Sequence, residues 1–343
     1  MSEKGVSVES MNHRRLDTAL PPHHSRRGGF RNPWPSSQPR GIGGLLKWIV
    51  TRRHRPAASR IAESVRPIAA ITESGEAGLS ITWIGHSTFL IRSGSTSVLT
   101  DPIWSDRASP AQFAGPRRHA PPGLPFDELP PIDAVFISHD HYDHLDDTTT
   151  RLLVGRFPRA KWITPLGMRQ FFIKRGVTDI TEMDWWESGS FGEVSAFCTP
   201  AQHFSGRYPW NRNATLWSGW VIGVGAYRVF FAGDTALHPE FTKIAGRLGP
   251  FDAAILPIGA YEPPWFMRTV HMSPEDAVTA YSAIAGTPGN DACIFIPSHW
   301  GTFRLTDEPL CEPPERLRKS WAEAALPEAR LWLLSQGETR RRG

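Results

Sequence analysis

Seven imidazole and carboxylate side chains follow apolar, strand-like runs in this sequence. Phe136-Ile137-Ser138 leads into His139-Asp140-His141-Tyr142-Asp143-His144, and Cys198-Thr199-Pro200 leads to His203. Phe230-Phe231-Ala232-Gly233 leads to Asp234, and Ile294-Phe295-Ile296-Pro297-Ser298 leads to His299. Strand ends converge along one edge of a sheet, so residues far apart in the chain can form a single rigid site there. Imidazole and carboxylate groups offer the nitrogen and oxygen coordination that zinc accepts. His139 and His141 can converge on one metal from a turn leaving a strand, Asp143 and His144 can face another, and Asp234 can bridge. Two zinc ions so held would acidify a shared water into a nucleophile and stabilise charge developing on phosphoryl oxygens. No serine or cysteine nucleophile is required.

Other residues are candidates for supporting roles. Asp101, in Thr100-Asp101-Pro102, is placed to orient a ligand imidazole or to cap a turn. His271 precedes a capped helix and suits holding a phosphate or protonating a leaving oxygen, and His86 suits a buried hydrogen-bonding role. Arg117 and Arg118 lie on a long Pro-rich passage, Ile103 to Pro131, of the kind that forms a rim or lid, where they can meet a phosphate. Tyr261, Trp265 and Phe266, with Trp185 and Trp186, offer large apolar groups for acyl chains at the mouth of the site. Gly85, Gly233 and Gly259 stand alone and begin no phosphate-binding glycine motif.

The elements that must position these groups read as follows. Residues 80–84, 89–92 and 97–100 form an antiparallel opening. Strand patterns recur at 134–137, 161–164, 194–199, 217–222, 227–231, 253–257 and 293–297. Helices are expected from near Leu145, with Asp146 and Asp147 in the favourable first turn, from Gly167 to Arg175, and from Ser273-Pro274 to about Ala285. Strands with intervening helices imply an α+β fold of two mixed sheets packed face to face with helices outside.

Composition narrows the partners. Residues 1–70 hold 13 Lys/Arg against 4 Asp/Glu, whereas the other 273 hold 25 against 30, so the catalytic body is acidic and a nucleic-acid substrate is not expected. Residues 1–40 read as a disordered basic leader, 41–76 as an amphipathic or packing extension, 77–338 as the hydrolase domain and 339–343 as a basic tail. Within 41–56 an apolar patch containing Leu45, Leu46, Trp48, Ile49 and Val50 adjoins Arg52, Arg53 and Arg55. It can pack on the body or lie on an anionic membrane surface. Cys198, Cys293 and Cys311 form no CxxC pair, and Cys198 and Cys293 read as buried thiols. The start lacks the layout of a secretory signal, so the expected setting is cytoplasmic, with peripheral contact at the inner face of the membrane. Oligomeric state is left open, a homodimer among the options.

The run Ser138-His139-Asp140-His141-Tyr142-Asp143-His144 resembles the HxHxDH signature of the metallo-beta-lactamase superfamily, over about residues 77–338. Trp83-Ile84-Gly85-His86-Ser87-Thr88, Thr100-Asp101-Pro102-Ile103-Trp104-Ser105, Gly115-Pro116-Arg117-Arg118, Ile258-Gly259-Ala260-Tyr261 and His271-Met272-Ser273-Pro274-Glu275 resemble its N-acylphosphatidylethanolamine-hydrolysing phospholipase D branch. The resemblance implies a four-layer αβ/βα sandwich. It implies one zinc on His139, His141 and His203, a second on Asp143, His144 and His299, and Asp234 bridging; iron or manganese is also compatible. It further implies release of phosphatidic acid from N-acylphosphatidylethanolamine or a similar phospholipid. The mammalian relatives usually carry Asn at the position of Asp140. The same donors would serve an amide or lactone hydrolase, or a metal-bearing binding protein without turnover.

Overall fold

The computed structural model describes residues 20–34, 41–51, 78–208 and 210–343. The remaining parts of the leader and extension, including the basic run after Thr51, lie outside the described residues. Helix α1 (Ile42–Thr51) precedes the body. Strands β1 (Leu79–Gly85), β2 (Thr88–Ser93) and β3 (Thr96–Thr100) form an antiparallel meander. Strands β4 (Ala134–Phe136), β5 (Lys161–Pro165) and β6 (Ile180–Met183) extend it in parallel, with α2 (Asp147–Arg156) and α3 (Arg169–Ile173) in the crossovers.

A second sheet opens antiparallel with β7 (Ser188–Phe191), β8 (Val194–Thr199), β9 (Gly219–Val224) and β10 (Tyr227–Phe231). Helix α4 (Phe241–Leu248) leads to β11 (Ala253–Pro257), and α5 (Pro264–Met267) and α6 (Pro274–Ala285) lead to β12 (Ile294–Ser298). Both β11 and β12 are parallel to β10. Helix α7 (Glu312–Glu323) and strand β13 (Thr339–Arg342) close the chain. The strand orders are β13-β1-β2-β3-β4-β5-β6 and β12-β11-β10-β9-β8-β7.

Strand alternation explains the layering, because successive side chains point to opposite faces. Phe89, Ile91, Val98, Phe136 and Ile163 of the first sheet meet Trp220, Ile222, Phe231 and Ile255 of the second in a central core. The intervening Leu90, Leu99, Val135 and Trp162 pack outward with Leu153 and Phe172 of α2 and α3. On the other side Val221, Phe230, Ala254 and Leu256 pack against Ile244, Tyr281 and Leu317 of α4, α6 and α7. The result is an αβ/βα sandwich. Both helix starts that matter for the site are capped: Asp146 accepts from Thr149 N, and Ser273 forms a reciprocal capping box with Asp276.

Two sequence expectations need correction. Residues 339–342 are a sheet edge paired with β1 through the backbone, not a tail. Residues 20–34, read as part of a disordered leader, are laid on the body. His23 Nε2 and His24 Nε2 each donate to a different carboxylate oxygen of Asp184 at 2.7 Å. Trp34 stacks on Trp185 and His238 at 5.9 and 4.9 Å between centroids. Helix α1 is divided: Trp48 is buried against Met267 and Val270, while Leu46, Ile49 and Val50 are 57%, 57% and 84% exposed. Among the described residues no helix is long and apolar enough to cross a membrane.

Candidate metal centre

The parallel strands β3, β4, β10, β11 and β12 deliver their C-terminal ends to one edge of the sandwich. Asp101 follows β3, His139 follows β4, Asp234 follows β10 and His299 follows β12, while His203 follows β8. The turns are tight. His86, Asp101 and His299 adopt φ of 55°, 34° and 61°, a region most non-glycine residues avoid and one that concentrates at functional sites. Before Asp234, Gly233 has φ 60°, and a Cβ there would lie 2.6 Å from Ser138 Cβ and 2.8 Å from Ser218 O. Only glycine fits that approach.

All seven expected donors come together, in two groups that share one carboxylate. His139 Nε2 lies 2.8 Å from His141 Nδ1, which lies 3.2 Å from His203 Nε2. Asp143 Oδ2 lies 3.4 Å from both His144 Nε2 and His299 Nε2. Asp234 Oδ2 is 3.9 and 3.7 Å from His139 and His203 Nε2, and 3.2 and 3.0 Å from His144 and His299 Nε2. Donors bound tetrahedrally to one zinc-sized cation lie about 3.4 Å apart, so these separations suit shared cations. Asp234 Oδ1 and His299 Nδ1 are buried with no hydrogen-bond partner among the described residues. The residues therefore fit a divalent-metal site.

The second nitrogen of several rings is fixed, which frees the first as a lone pair. His144 Nδ1 donates to Asp101 Oδ2 at 2.7 Å, and His203 Nδ1 donates to Val270 O at 2.8 Å. Asp101 is fully buried and also accepts from Ser138 N and Oγ at 2.7 and 2.6 Å. Ser138 Oγ in turn lies 2.9 Å from His139 Nδ1. Asp101 thus holds Ser138 and the His144 ring from behind the donor cluster. His86 Nε2 donates to Asp143 Oδ2 at 2.9 Å.

Electrostatics divide the cluster. Burial pushes His141 down to about 3 and, outweighing attraction to Asp234, His203 down to about 4. Burial also opposes charge on His299, but Asp234 and Asp143 outweigh it and hold the ring up at about 9. The same contest raises His144, with Asp101 adding to the pull. Asp143 and Asp234 stay ionised despite burial because these imidazoles face them. Two buried carboxylates held as anions demand a positive partner, and divalent cations supply it without protonating the ligands.

A cavity of about 290 Å³ opens onto His141, Asp143, Asp234 and His271. Its apolar wall comes from Leu45 and Trp48 of α1, Phe204, Phe266, Met267 and Val270. His271 Nδ1 is buried, without a described hydrogen-bond partner, 3.8 Å from Asp234 Oδ2.

Most of the proposed substrate contacts are elsewhere. Arg118 is spent on Ser105 O and Ile103 O at 3.2 and 2.8 Å, and Arg117 forms an exposed pair with Asp106 at 3.7 Å. Tyr261 is buried and donates to Glu312 at 2.8 Å, which ties its loop to α7. Trp265 lies under Lys47 Nζ at 4.9 Å and against Phe266, bracing α1; of the three aromatics only Phe266 lines the cavity. Trp185 is covered by His23 and Trp34, and Trp186 faces Lys243 and Arg247. Sequence reading missed Phe204 and Arg212, which line the cavity, and Asn32, whose Nδ2 donates to His203 O at 2.9 Å. Asp140, the position at which the mammalian pattern differs, accepts from Gly206 N at 2.7 Å and so holds the turn after His203.

The comparisons agree with this geometry. The family model described as a beta-lactamase superfamily domain matches residues 96–300. An uncharacterised protein of Mycobacterium tuberculosis is 42% identical over 299 residues, covering 85% of this chain and 78% of the relative. N-acyl-phosphatidylethanolamine-hydrolyzing phospholipase D 1 of Caenorhabditis elegans is 36% identical over 296 residues, covering 81% and 82%. The solved structure of a metallo hydrolase from the archaeon Ignicoccus hospitalis superposes with a TM-score of 0.57 at 20% identity, covering 78% of this chain and 99% of its own. With the HxHxDH run at a strand end and its partners gathered on one sheet edge, the chain belongs to the metallo-beta-lactamase superfamily, in its N-acylphosphatidylethanolamine-hydrolysing phospholipase D-like branch.

Proposed function

We propose that this protein is a binuclear zinc hydrolase that cleaves a phosphodiester bond in an amphiphilic lipid, with N-acylphosphatidylethanolamine as the leading substrate. The observation that carries the reading is an apolar cavity ending on the donor cluster. A nucleic-acid or small polar substrate would leave that wall unused. The activity named for the C. elegans relative supports the same class of substrate.

His139, His141 and His203 would hold one ion, Asp143, His144 and His299 the other, and Asp234 both. Bound divalent cations supply acidification of water and neutralisation of charge on phosphoryl oxygens. The chain's own groups do the rest. Asp101 keeps His144 in one tautomer and one orientation, and Val270 O does the same for His203. Burial keeps the His271 ring neutral, so it can offer one N–H to a substrate oxygen beside Asp234. Trp48, Phe266 and Met267 take the acyl chain and exclude water from around it. Leu46, Ile49 and Val50 on the outer side of α1 suit contact with the lipid surface from which substrate would enter.

A metal-reconstituted assay against phospholipid, soluble phosphodiester, lactone and nucleic-acid panels tests the reading, with products identified by mass spectrometry. Phosphatidic acid is the expected product. Lactone opening without phosphodiester turnover, or ligand binding without any turnover, would overturn it. His203→Ala should lose metal and activity together, whereas His271→Ala should keep metal and lose turnover.

A further inference from the structure

Among the described residues that line the cavity, Arg212 is the one permanently cationic side chain. Other arginines of the body are spent on protein partners. Arg118 is bonded to two backbone carbonyls, Arg207 to Asp140 O and Leu145 O at 2.9 and 2.6 Å, and Arg316 to both carboxylate oxygens of Glu275. The Arg212 guanidinium makes no hydrogen bond or ion pair with a described residue and touches the Phe204 ring at 4.8 Å. That same ring packs on His141 and His203, at 4.5 and 4.8 Å between centroids.

The position is built. Gly206, with φ 148°, brings the chain so close to Arg212 that a Cβ would lie 3.3 Å from the arginine Cα, and Gly206 N is held by Asp140 of the donor motif. Asn213 N bonds back to Ser205 O at 2.9 Å and Asn211 Oδ1 accepts from Arg207 N and Tyr208 N at 3.1 and 2.8 Å. Arg212 is exposed at the rim of the cavity, so its guanidinium, unpaired by any described residue, is open to an anion that enters beside the apolar wall.

We propose that Arg212 is the specificity-determining residue of the cavity: it binds an anionic oxygen of the substrate, phosphoryl or carboxylate, while the apolar chain lies against Trp48, Phe266 and Met267. The site would then select anionic amphiphiles over neutral ones of equal chain length. The inference rests on the proposed hydrolysis of an amphiphile.

The test is calorimetric binding of decyl phosphate, decanoate and decanol to the metal-loaded full-length protein and to its Arg212→Gln and Arg212→Lys variants. Arg212→Gln should weaken the anions relative to decanol by about 10- to 100-fold, the range for a charge-assisted pair. Arg212→Lys should restore part of the preference, because an ammonium keeps the charge and loses the planar fork. The anion that loses more identifies the favoured head group. Equal weakening of all three ligands would overturn the inference by reducing Arg212 to a wall. Unchanged anion preference would overturn it by leaving recognition to the metal centre alone. If the wild type cleaves no phosphodiester yet Arg212→Gln loses the anion preference, the proposed reaction fails and the inference stands; turnover with an unchanged preference is the reverse result.

Discussion

The donor cluster and the cavity beside it meet at His141, Asp143 and Asp234, yet they are made differently. Every donor follows a sheet strand or stands in the turn just after one, and several rings are tied by their second nitrogen. The apolar wall is made of a helix outside the sheets, the turn after β8 and the short α5. Strand ends in a packed sandwich hold chemistry to a fraction of an ångström; loops and an appended helix can vary without disturbing it. The contrast predicts that damage to the first region abolishes reaction, while damage to the second changes which molecules react.

The sharpest break is Asp234→Asn. Because Asp234 Oδ2 faces both donor groups, the variant should lose both ions by elemental analysis and fall in activity by on the order of 10³-fold or more. Retention of one full equivalent of metal would show that the two groups are independent. Next comes Asp101→Asn, which keeps every donor but loosens His144; metal affinity, read by chelator competition, should drop about 10- to 100-fold.

On the cavity side, Trp48→Ala removes an apolar wall with Met267 and Val270 behind it. The preference for long-chain over short-chain substrates should fall by roughly tenfold, the value of one to two buried methylenes, with metal content as in the wild type. A loss equal for both chain lengths would erase the distinction between the two regions.

The smallest effect tests the leader's contact. His238 is buried between Phe241 and Trp34, its Nδ1 accepts from Glu240 N at 3.2 Å, and burial pushes it down to about 3. The folded protein keeps it neutral, while the unfolded chain takes up a proton below about 6.5. Its contribution is therefore intact above pH 6.5 and is lost as pH falls toward 3, on the order of 2 kcal/mol by pH 5. Denaturation of wild type and His238→Gln between pH 7.5 and 5 should show the stability difference moving in favour of the variant as acid is added. A pH-independent difference would mean the ring is solvated.

The donor cluster was legible because strand periodicity and ligand chemistry point to the same positions. His139 to His144 sit where an apolar run must leave the sheet, and Asp146 and Ser273 mark helix starts by their own side-chain bonds. Residues 20–34 were not legible, since they dock through stacked rings and single hydrogen bonds, which leave no periodic pattern. Strand β13 reads as a charged tail because its pairing with β1 is through backbone groups. Strands β6 and β7 and helices α4 and α7 went unread as well. Arg212 stands in a polar turn with ordinary composition, and only the turn's closure over Phe204 shows that it faces the cavity. Tyr261 and Trp185 misled for the opposite reason: aromatics in loops were covered by α7 and by the leader.

The bond from Asn32 to His203 O joins positions 171 residues apart, and His23 reaches Asp184 across 161. On the ribosome the leader is made first, yet the carbonyl and carboxylate it must find are made far later. Contacts of such long sequence separation close slowly, after the sheets they rest on have formed. The strap over His203 is thus a late event in the birth of the protein, and a chain interrupted before its second sheet would carry a leader with nothing to hold.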